Sequence, residues 1–153
     1  MADANRRLTP GEVQMLRSVF GTGINYSLVR VHSERLMWPF PNNRAMAPNG
    51  EVYLPGGWYA PDLSARSVPL HKRANFVHEG AHLYQWYGLG WTVWARGPFD
   101  RNYDYTIEPG RKYQDYGLEQ MGSIAEDYYT LREGGRHARY TLADFAALLP
   151  VRA

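Results

Sequence analysis

The sequence predicts an α+β fold, a single compact domain that is mainly helical with a few short strands. Three observations predict it: a capped helix start near the N-terminus, two long helical segments at residues 71–88 and 116–132, and short β-prone runs between regions rich in proline and glycine. The chain has 153 residues, the size of one ordinary domain, and no internal repeat or linker divides it. We therefore expect residues 1–153 to form one domain.

The first predicted helix follows a strong capping signal. Thr9 fits the N-cap, Pro10 the first helical position and Glu12 the third position of a capping box. The helix should end at Phe20, because two glycines follow within three residues. Residues 26–32 then mix β-branched and aromatic residues with polar ones, which is typical of a strand.

The middle of the chain is predicted to be largely irregular, with one further strand. Residues 37–50 hold three prolines and three asparagines, which favour turns and loops. Residues 51–54 form a short β-prone run, and the proline directly after it suits a strand at the edge of a sheet. A second irregular stretch should reach Pro69, just before the first long helix.

Two long helices and a short final one are predicted in the second half. Residues 71–88 carry apolar side chains without an internal proline, and residues 116–132 place small and acidic residues at helical spacing. Residues 97–115 break the pattern between them. Two glycines at 134–135 supply a stop for the second helix, and residues 141–150 begin with a threonine and an aspartate that frame a last helix start.

The first long helix contains the motif His-Glu-Gly-Ala-His at residues 78–82. Four residues separate His78 from His82, so on a helix both imidazoles leave the same face, one turn apart. Two nitrogens at this spacing can share one zinc ion, and Glu79 lies where a carboxylate can activate water without binding the metal. The motif therefore predicts a zinc hydrolase, with a peptidase favoured, in which Glu79 is the catalytic base.

The composition narrows the chemistry and the classes of partner. Because the chain contains no cysteine, disulfides and thiolate ligands are excluded, and a zinc site must use histidine and carboxylate. The formal net charge is +2 and the arginines are spread along the chain, so nucleic acid is not indicated as a partner. No apolar run approaches the roughly 20 residues of a membrane span, and no signal-peptide core follows the first residues. We expect synthesis in the cytoplasm, and any export by a route that reads no classical signal.

A catalytic zinc ion usually has three protein ligands, so a third residue must join the two histidines. The chain has three other histidines, His32, His71 and His137. None of them continues the motif along its helix, so we expect them to lie away from the metal. The second long helix is the better source, because one face of it carries Glu119, Gly122, Ser123 and Glu126. Glu119 and Glu126 lie two turns apart, about 10.5 Å along the axis, so only one can be the ligand. The other would accept an imidazole N–H, and helical spacing alone leaves the choice open.

A hydrolase of this kind also needs a hydrogen-bond donor for the oxyanion. Tyr105 and Tyr103 lie in the irregular stretch between the two ligand helices, where a hydroxyl can reach the site. We predict Tyr105 as the catalytic donor and Tyr103 as the alternative. A packing role is equally compatible with both.

Motifs along most of the chain carry a resemblance to a known family. They include Leu8-Thr9-Pro10-Gly11-Glu12, Val29-Arg30-Val31-His32, Ala47-Pro48-Asn49-Gly50, Phe76-Val77-His78-Glu79 with His82, and Tyr116-Gly117-Leu118-Glu119-Gln120. In this order they resemble the Vgr-related zinc metallopeptidases of bacterial type VI secretion and Rhs contexts. The chain departs from that family beside the ligands, where Gly80-Ala81 and Leu83-Tyr84 replace the more usual residues.

The resemblance implies both a ligand and a role. It implies a zincin-like fold with a gluzincin-type site, in which Glu119 of the Glu-Gln pair is the third zinc ligand. It also implies a type VI effector or toxin that cleaves a peptide, protein or cell-wall peptide, is secreted and delivered into a target cell, and meets a secretion apparatus and an immunity protein. Two rival functions stay open: a zinc-stabilised adaptor without turnover, and a peptidoglycan amide hydrolase.

Overall fold

A small sheet and five α-helices are formed in the parts of the chain that the computed structural model describes, residues 4–97, 100–137 and 139–151. The strands are β1 (Arg6–Arg7), β2 (Arg30–His32) and β3 (Val52–Tyr53). The helices are α1 (Pro10–Phe20), α2 (Leu70–Tyr87), α3 (Val93–Arg96), α4 (Leu118–Arg132) and α5 (Leu142–Leu148). This content confirms the predicted α+β class. Residues 1–3, 98–99, 138 and 152–153 of the predicted domain lie outside the described residues.

The sheet has the strand order β1-β2-β3. β1 runs antiparallel to β2, with Arg6 opposite Val31, and β2 runs parallel to β3, with Val31 opposite Val52. On the far side of β3, Met46 forms an isolated antiparallel bridge to Tyr53, with N···O distances of 3.0 and 2.8 Å. β3 is therefore the last named strand, as the proline after it predicts, but the backbone at Met46 covers part of its outer edge.

The predicted strand over residues 26–32 is wrong in its first half. Tyr26–Leu28 form a 3₁₀ turn instead. The hydroxyl of Tyr26 donates to the carbonyl oxygen of Gly21, 2.6 Å away at the end of α1, and this bond holds the segment against the helix. The strand therefore begins only at Arg30.

The capping box predicted for α1 is present. The Glu12 amide donates to Thr9 Oγ1 at 3.0 Å, and the Thr9 amide donates to the Glu12 carboxylate at 2.9 Å. The same carboxylate is fully buried and accepts two hydrogen bonds from Arg6 on β1 and one from the amide of Leu63. Glu12 therefore joins α1 to β1 and to a loop distant in sequence, which the capping pattern alone does not reveal.

α2 packs against α1, α3 and α4, and its contact with α4 is the most extensive. Gly80 makes the approach to α1 possible, because a Cβ atom there would lie 2.6 Å from Leu16 Cδ2 and 2.9 Å from Phe20 Cε2. Glycine costs about 1 kcal/mol relative to alanine in a helix interior, and this close packing offsets the cost. The close packing of α2 against α1 thus explains why the histidine motif contains a glycine.

The second long helix starts later than its sequence pattern indicates, and an unpredicted short helix, α3, precedes it. α4 begins at Leu118 rather than at Tyr116. The amide of Leu118 donates to a carboxylate oxygen of Asp100 at 2.7 Å, which satisfies one of the free amides in the first turn. In the described part of the chain, no helix combines the length and the apolar character needed to cross a membrane.

Candidate metal centre

α2 presents two histidines on the face that packs against α4. The rings of His78 and His82 lie one helical turn apart, with centroids separated by 5.4 Å, and both side chains are buried. Glu79 is buried beside them, and ligand atoms of the three residues lie within 4.8 Å of one another. The motif therefore forms a group that can bind a metal ion.

The acidic face of α4 meets these histidines. Glu119 Oε1 lies 3.0 Å from Nε2 of His78 and 3.0 Å from Nε2 of His82. Gly122, about one turn further along α4, leaves room for the ring of His78, because a Cβ atom there would lie 2.5 Å from its Nε2. Two imidazole nitrogens and one carboxylate oxygen therefore point to a common position.

Glu126 contacts the other nitrogen of His78. Its Oε1 lies 2.9 Å from Nδ1, whereas Glu119 lies on the Nε2 side. Nδ1–H donates to Glu126, and this leaves Nε2 directed to the common position. The two carboxylates that helical spacing does not distinguish thus occupy different places around the ring.

Gln85 orients His82 in a comparable way. Nδ1 of His82 lies 2.9 Å from Oε1 of Gln85, whose Nε2 lies 2.9 Å from the Leu118 carbonyl oxygen and 3.3 Å from Met121 Sδ. Because the amide nitrogen donates to these acceptors, the amide oxygen faces His82 and accepts its Nδ1–H. The histidine motif itself predicts no role for Gln85; the signal in the sequence is a glutamine three residues after His82, close to the same helix face.

Although the metal-binding group is buried, its interactions favour the charged forms of the two histidines and of Glu119. Burial opposes the imidazolium form of His78, but hydrogen bonds to Glu119 and Glu126 outweigh it and raise the pKa of His78 to about 10. The same balance, with Glu119 as partner, raises the pKa of His82 and holds the pKa of Glu119 well below its usual range. Burial raises the pKa of Glu79, which makes this carboxylate a better proton acceptor.

Tyr105 is not brought to this group. Its side chain is buried, its hydroxyl donates to Asp127 at 2.6 Å, and His137 Nε2 lies 3.4 Å from the same oxygen. Tyr103 lies over the site instead, with its ring stacked at 30° and 6.0 Å from that of His78. The alternative tyrosine, rather than Tyr105, therefore reaches the metal-binding group.

The other histidines contact other parts of the molecule. His32 Nε2 lies 2.8 Å from a carboxylate oxygen of Glu51. The ring of His71 packs edge-on against Trp58, 6.2 Å away between centroids. His137 joins the cluster around Tyr105. Among the described residues, the metal-binding group found contains none of these three histidines.

The metal-binding group opens into a cleft of about 420 Å³. This volume lies in the range of ligand-binding pockets. Asn75, about one turn before His78 on α2, also lines the cleft, and no described residue donates to its buried Oδ1. Four aromatic side chains and two arginines lie along the walls: Phe40, Trp58, Trp94, Tyr103, Arg44 and Arg101.

Comparisons with known proteins show similarity to a bacterial secretion protein. No family model matches the chain. The chain is 34% identical over 140 residues to the type VI secretion system spike protein VgrG2b of Pseudomonas aeruginosa, which corresponds to 84% of this chain but only 13% of that protein. The solved structure of the effector domain of Pseudomonas aeruginosa VgrG2b gives a TM-score of 0.76 at 29% identity and covers 94% of this chain and 81% of that one. These matches confirm the Vgr-related part of the resemblance: the chain is homologous to the effector domain of VgrG2b.

Proposed function

We propose that this chain is a zinc-dependent hydrolase of peptide bonds that acts as an effector domain in type VI secretion. The observation that carries the proposal is the convergence of His78 Nε2, His82 Nε2 and Glu119 Oε1, with Glu79 buried beside them. Two imidazoles and a carboxylate, with no thiolate, form a ligand set found in catalytic zinc sites. Two hydrogen-bond partners, the half-buried Glu126 and the buried Gln85, hold the rings of His78 and His82 in place.

The chemistry divides between the metal and Glu79. A zinc ion, when bound, polarises a carbonyl group and lowers the pKa of its bound water to about 7. The Glu79 carboxylate takes the proton of the attacking water and passes it to the leaving amine. Its burial supports this role, because a carboxylate with a raised pKa accepts and returns a proton more readily near neutral pH.

Tyr103 is the proposed donor to the oxyanion. Its hydroxyl oxygen accepts a hydrogen bond from Arg44 at 2.9 Å, so its own O–H stays available to a substrate. Burial and the charge of nearby Glu119 raise the pKa of Tyr103, which keeps the hydroxyl protonated. Its ring stacks on that of His78, which would bring the hydroxyl close to an oxyanion held beside the two histidines.

Exchanging the two tyrosines for phenylalanine separates these roles. Tyr103→Phe should lower the turnover number about a hundredfold and leave stability unchanged, because it removes an oxyanion donor from a partly exposed side chain. Tyr105→Phe should leave turnover unchanged and lower the free energy of unfolding by about 2 kcal/mol, because it removes a partly buried hydrogen bond to the charged Asp127. Peptide hydrolysis and urea denaturation measure both. A loss of turnover in Tyr105→Phe alone would contradict the assignment to Tyr103.

The similarity to VgrG2b supports a role of this activity in type VI secretion. The matched relative is a secretion-system spike protein, and its homologous part is called an effector domain. We therefore propose that the chain is carried by a type VI apparatus into a target cell, where it cleaves a protein or cell-wall peptide. An immunity protein in the producing cell would protect against it.

Replacing Glu79 by glutamine tests the catalytic part of the proposal. The substitution keeps the size of the side chain and removes the proton acceptor, so zinc content and melting temperature should persist while hydrolysis falls by about a hundredfold or more. Purified protein is incubated with casein and with murein, each with and without a chelator. Removal of zinc should abolish hydrolysis of whichever polymer is the substrate.

These incubations, together with a toxicity assay of Glu79→Gln in a target cell, distinguish the rival functions. Full toxicity of Glu79→Gln in a target cell would contradict catalysis and favour a zinc-stabilised adaptor. Chelator-sensitive cleavage of murein but not casein would identify an amide hydrolase of the cell wall. Cleavage of casein that Glu79→Gln abolishes is the expected result for a peptidase.

A further inference from the structure

Three of the four acidic side chains that line the cleft have hydrogen-bond or ion-pair partners inside the protein, and the fourth, Glu79, is the proposed base. Glu119 contacts both histidines, and Glu126 accepts a hydrogen bond from His78. Asp100 accepts hydrogen bonds from two backbone amides, one of them at the start of α4. Glu79 is buried within the motif. The negative charges of the cleft are therefore used to build the site itself.

The two arginines of the cleft differ from the acids in this respect. Arg44 is exposed, and among the described residues it donates one hydrogen bond, to the Tyr103 hydroxyl, so most of its five N–H groups have no partner there. Arg101 is also exposed, and among the described residues it has no hydrogen bond or ion pair. The cleft therefore presents cationic donors that are available to acceptors from outside the chain.

We propose that Arg101 and Arg44 bind a carboxylate of the peptide substrate, so that the enzyme prefers an acidic group near the scissile bond. This inference rests on the proposed function. A guanidinium pairs with a carboxylate through two parallel hydrogen bonds, which gives direction as well as charge. Free carboxylates of this kind occur on acidic side chains and at the C-terminus of a peptide.

The distance between the arginines and the metal-binding group limits where that carboxylate lies. Arg44 contacts Tyr103, and the Tyr103 ring lies 6.0 Å from that of His78, so the guanidinium is one side chain away from the metal-binding group. Arg101 precedes Tyr103 by two residues in the same segment. Since an extended peptide advances about 3.3 Å per residue, the carboxylate lies within about three residues of the scissile bond.

Peptide hydroxamates, which bind a zinc ion through the hydroxamate group, provide the test. One series of tripeptides ends in a hydroxamate and carries Glu or Gln at each of the three positions in turn. A second series carries a succinyl hydroxamate at its N-terminus and ends in a free carboxylate or an amide. The first series detects recognition of a side-chain carboxylate, and the second detects recognition of a C-terminal carboxylate. Dissociation constants are measured by calorimetry with the zinc-loaded protein.

In one matched pair, the wild-type protein should bind the acidic peptide about tenfold more tightly than the neutral one. This ratio should decrease at high salt. Arg101→Gln should reduce this ratio to about twofold, and Arg101→Glu should remove it and favour a Lys-containing peptide. Arg66→Gln is the matched control, because Arg66 is exposed and does not line the cleft. Unchanged melting temperatures show that each variant is folded.

Two kinds of result would overturn the inference, and they contradict different claims. Equal binding of all matched pairs, or a ratio that survives both Arg101→Gln and Arg44→Gln, contradicts carboxylate recognition while leaving the zinc site intact. Acetohydroxamate carries no carboxylate and reaches only the metal. Failure of the wild-type protein to bind zinc and acetohydroxamate would contradict the proposed function, and the inference would fall with it.

Discussion

Replacing Glu119 by glutamine is expected to lower the affinity for zinc by about a thousandfold. Glu119 Oε1 lies 3.0 Å from both imidazole Nε2 atoms, and for this reason we propose it as the third ligand. An amide oxygen has the same shape but lacks the negative charge that a divalent cation prefers. The affinity is measured by competition with a chelator of known strength, and circular dichroism checks that the variant is folded.

Glu126→Gln is the matched control for this result. Glu126 contacts Nδ1 of His78, so it acts on the metal only through the orientation of that ring. Loss of such an outer partner typically costs about 10- to 100-fold in metal affinity. The reverse order, with Glu126→Gln the more damaging substitution, would make Glu126 the ligand and Glu119 the supporting acceptor.

The contrast between these two glutamates shows what the sequence could predict about the site. The spacing within a helix fixes which residues share a face, so the pairing of His78 with His82 and the acidic face of α4 follow from the sequence. The choice between Glu119 and Glu126 depends on how α4 is shifted along α2, and that shift is a property of packing between distant segments. Gly122 indicates where the helices approach most closely, but it does not indicate the direction of the shift.

Irregular segments were predicted less well, for a related reason. Tyr103 and Tyr105 lie in a stretch without helical or strand periodicity, so no pattern shows which side chain faces the site. The strand β1 contains only two residues, too few to show an alternating pattern, and it is defined by its pairing with the distant β2. In the 3₁₀ turn at Tyr26, a hydrogen bond to Gly21 overrides the β-propensity of the segment.

A second large effect is expected at the glycine that lets α4 approach the histidines. In Gly122→Ala, the new Cβ atom would lie 2.5 Å from Nε2 and 2.6 Å from Cε1 of His78. The ring cannot move aside without losing its hydrogen bonds to Glu119 and Glu126. We expect zinc affinity and hydrolysis to fall by about a hundredfold or more, because Nε2 is displaced from the common position.

The metal-free protein should lose stability as well. Alanine favours a helix interior over glycine by about 1 kcal/mol, but overpacking costs about 1–3 kcal/mol and the displaced ring also loses hydrogen bonds. Ser123→Ala is the matched control: it also raises helix propensity, although by less, and Ser123 lines a neighbouring cavity rather than the metal-binding cleft. Chemical denaturation and zinc titration of both variants separate the effects. Normal zinc affinity in Gly122→Ala would mean that His78 does not need its observed position, and a metal centre that uses His78 Nε2 would be contradicted.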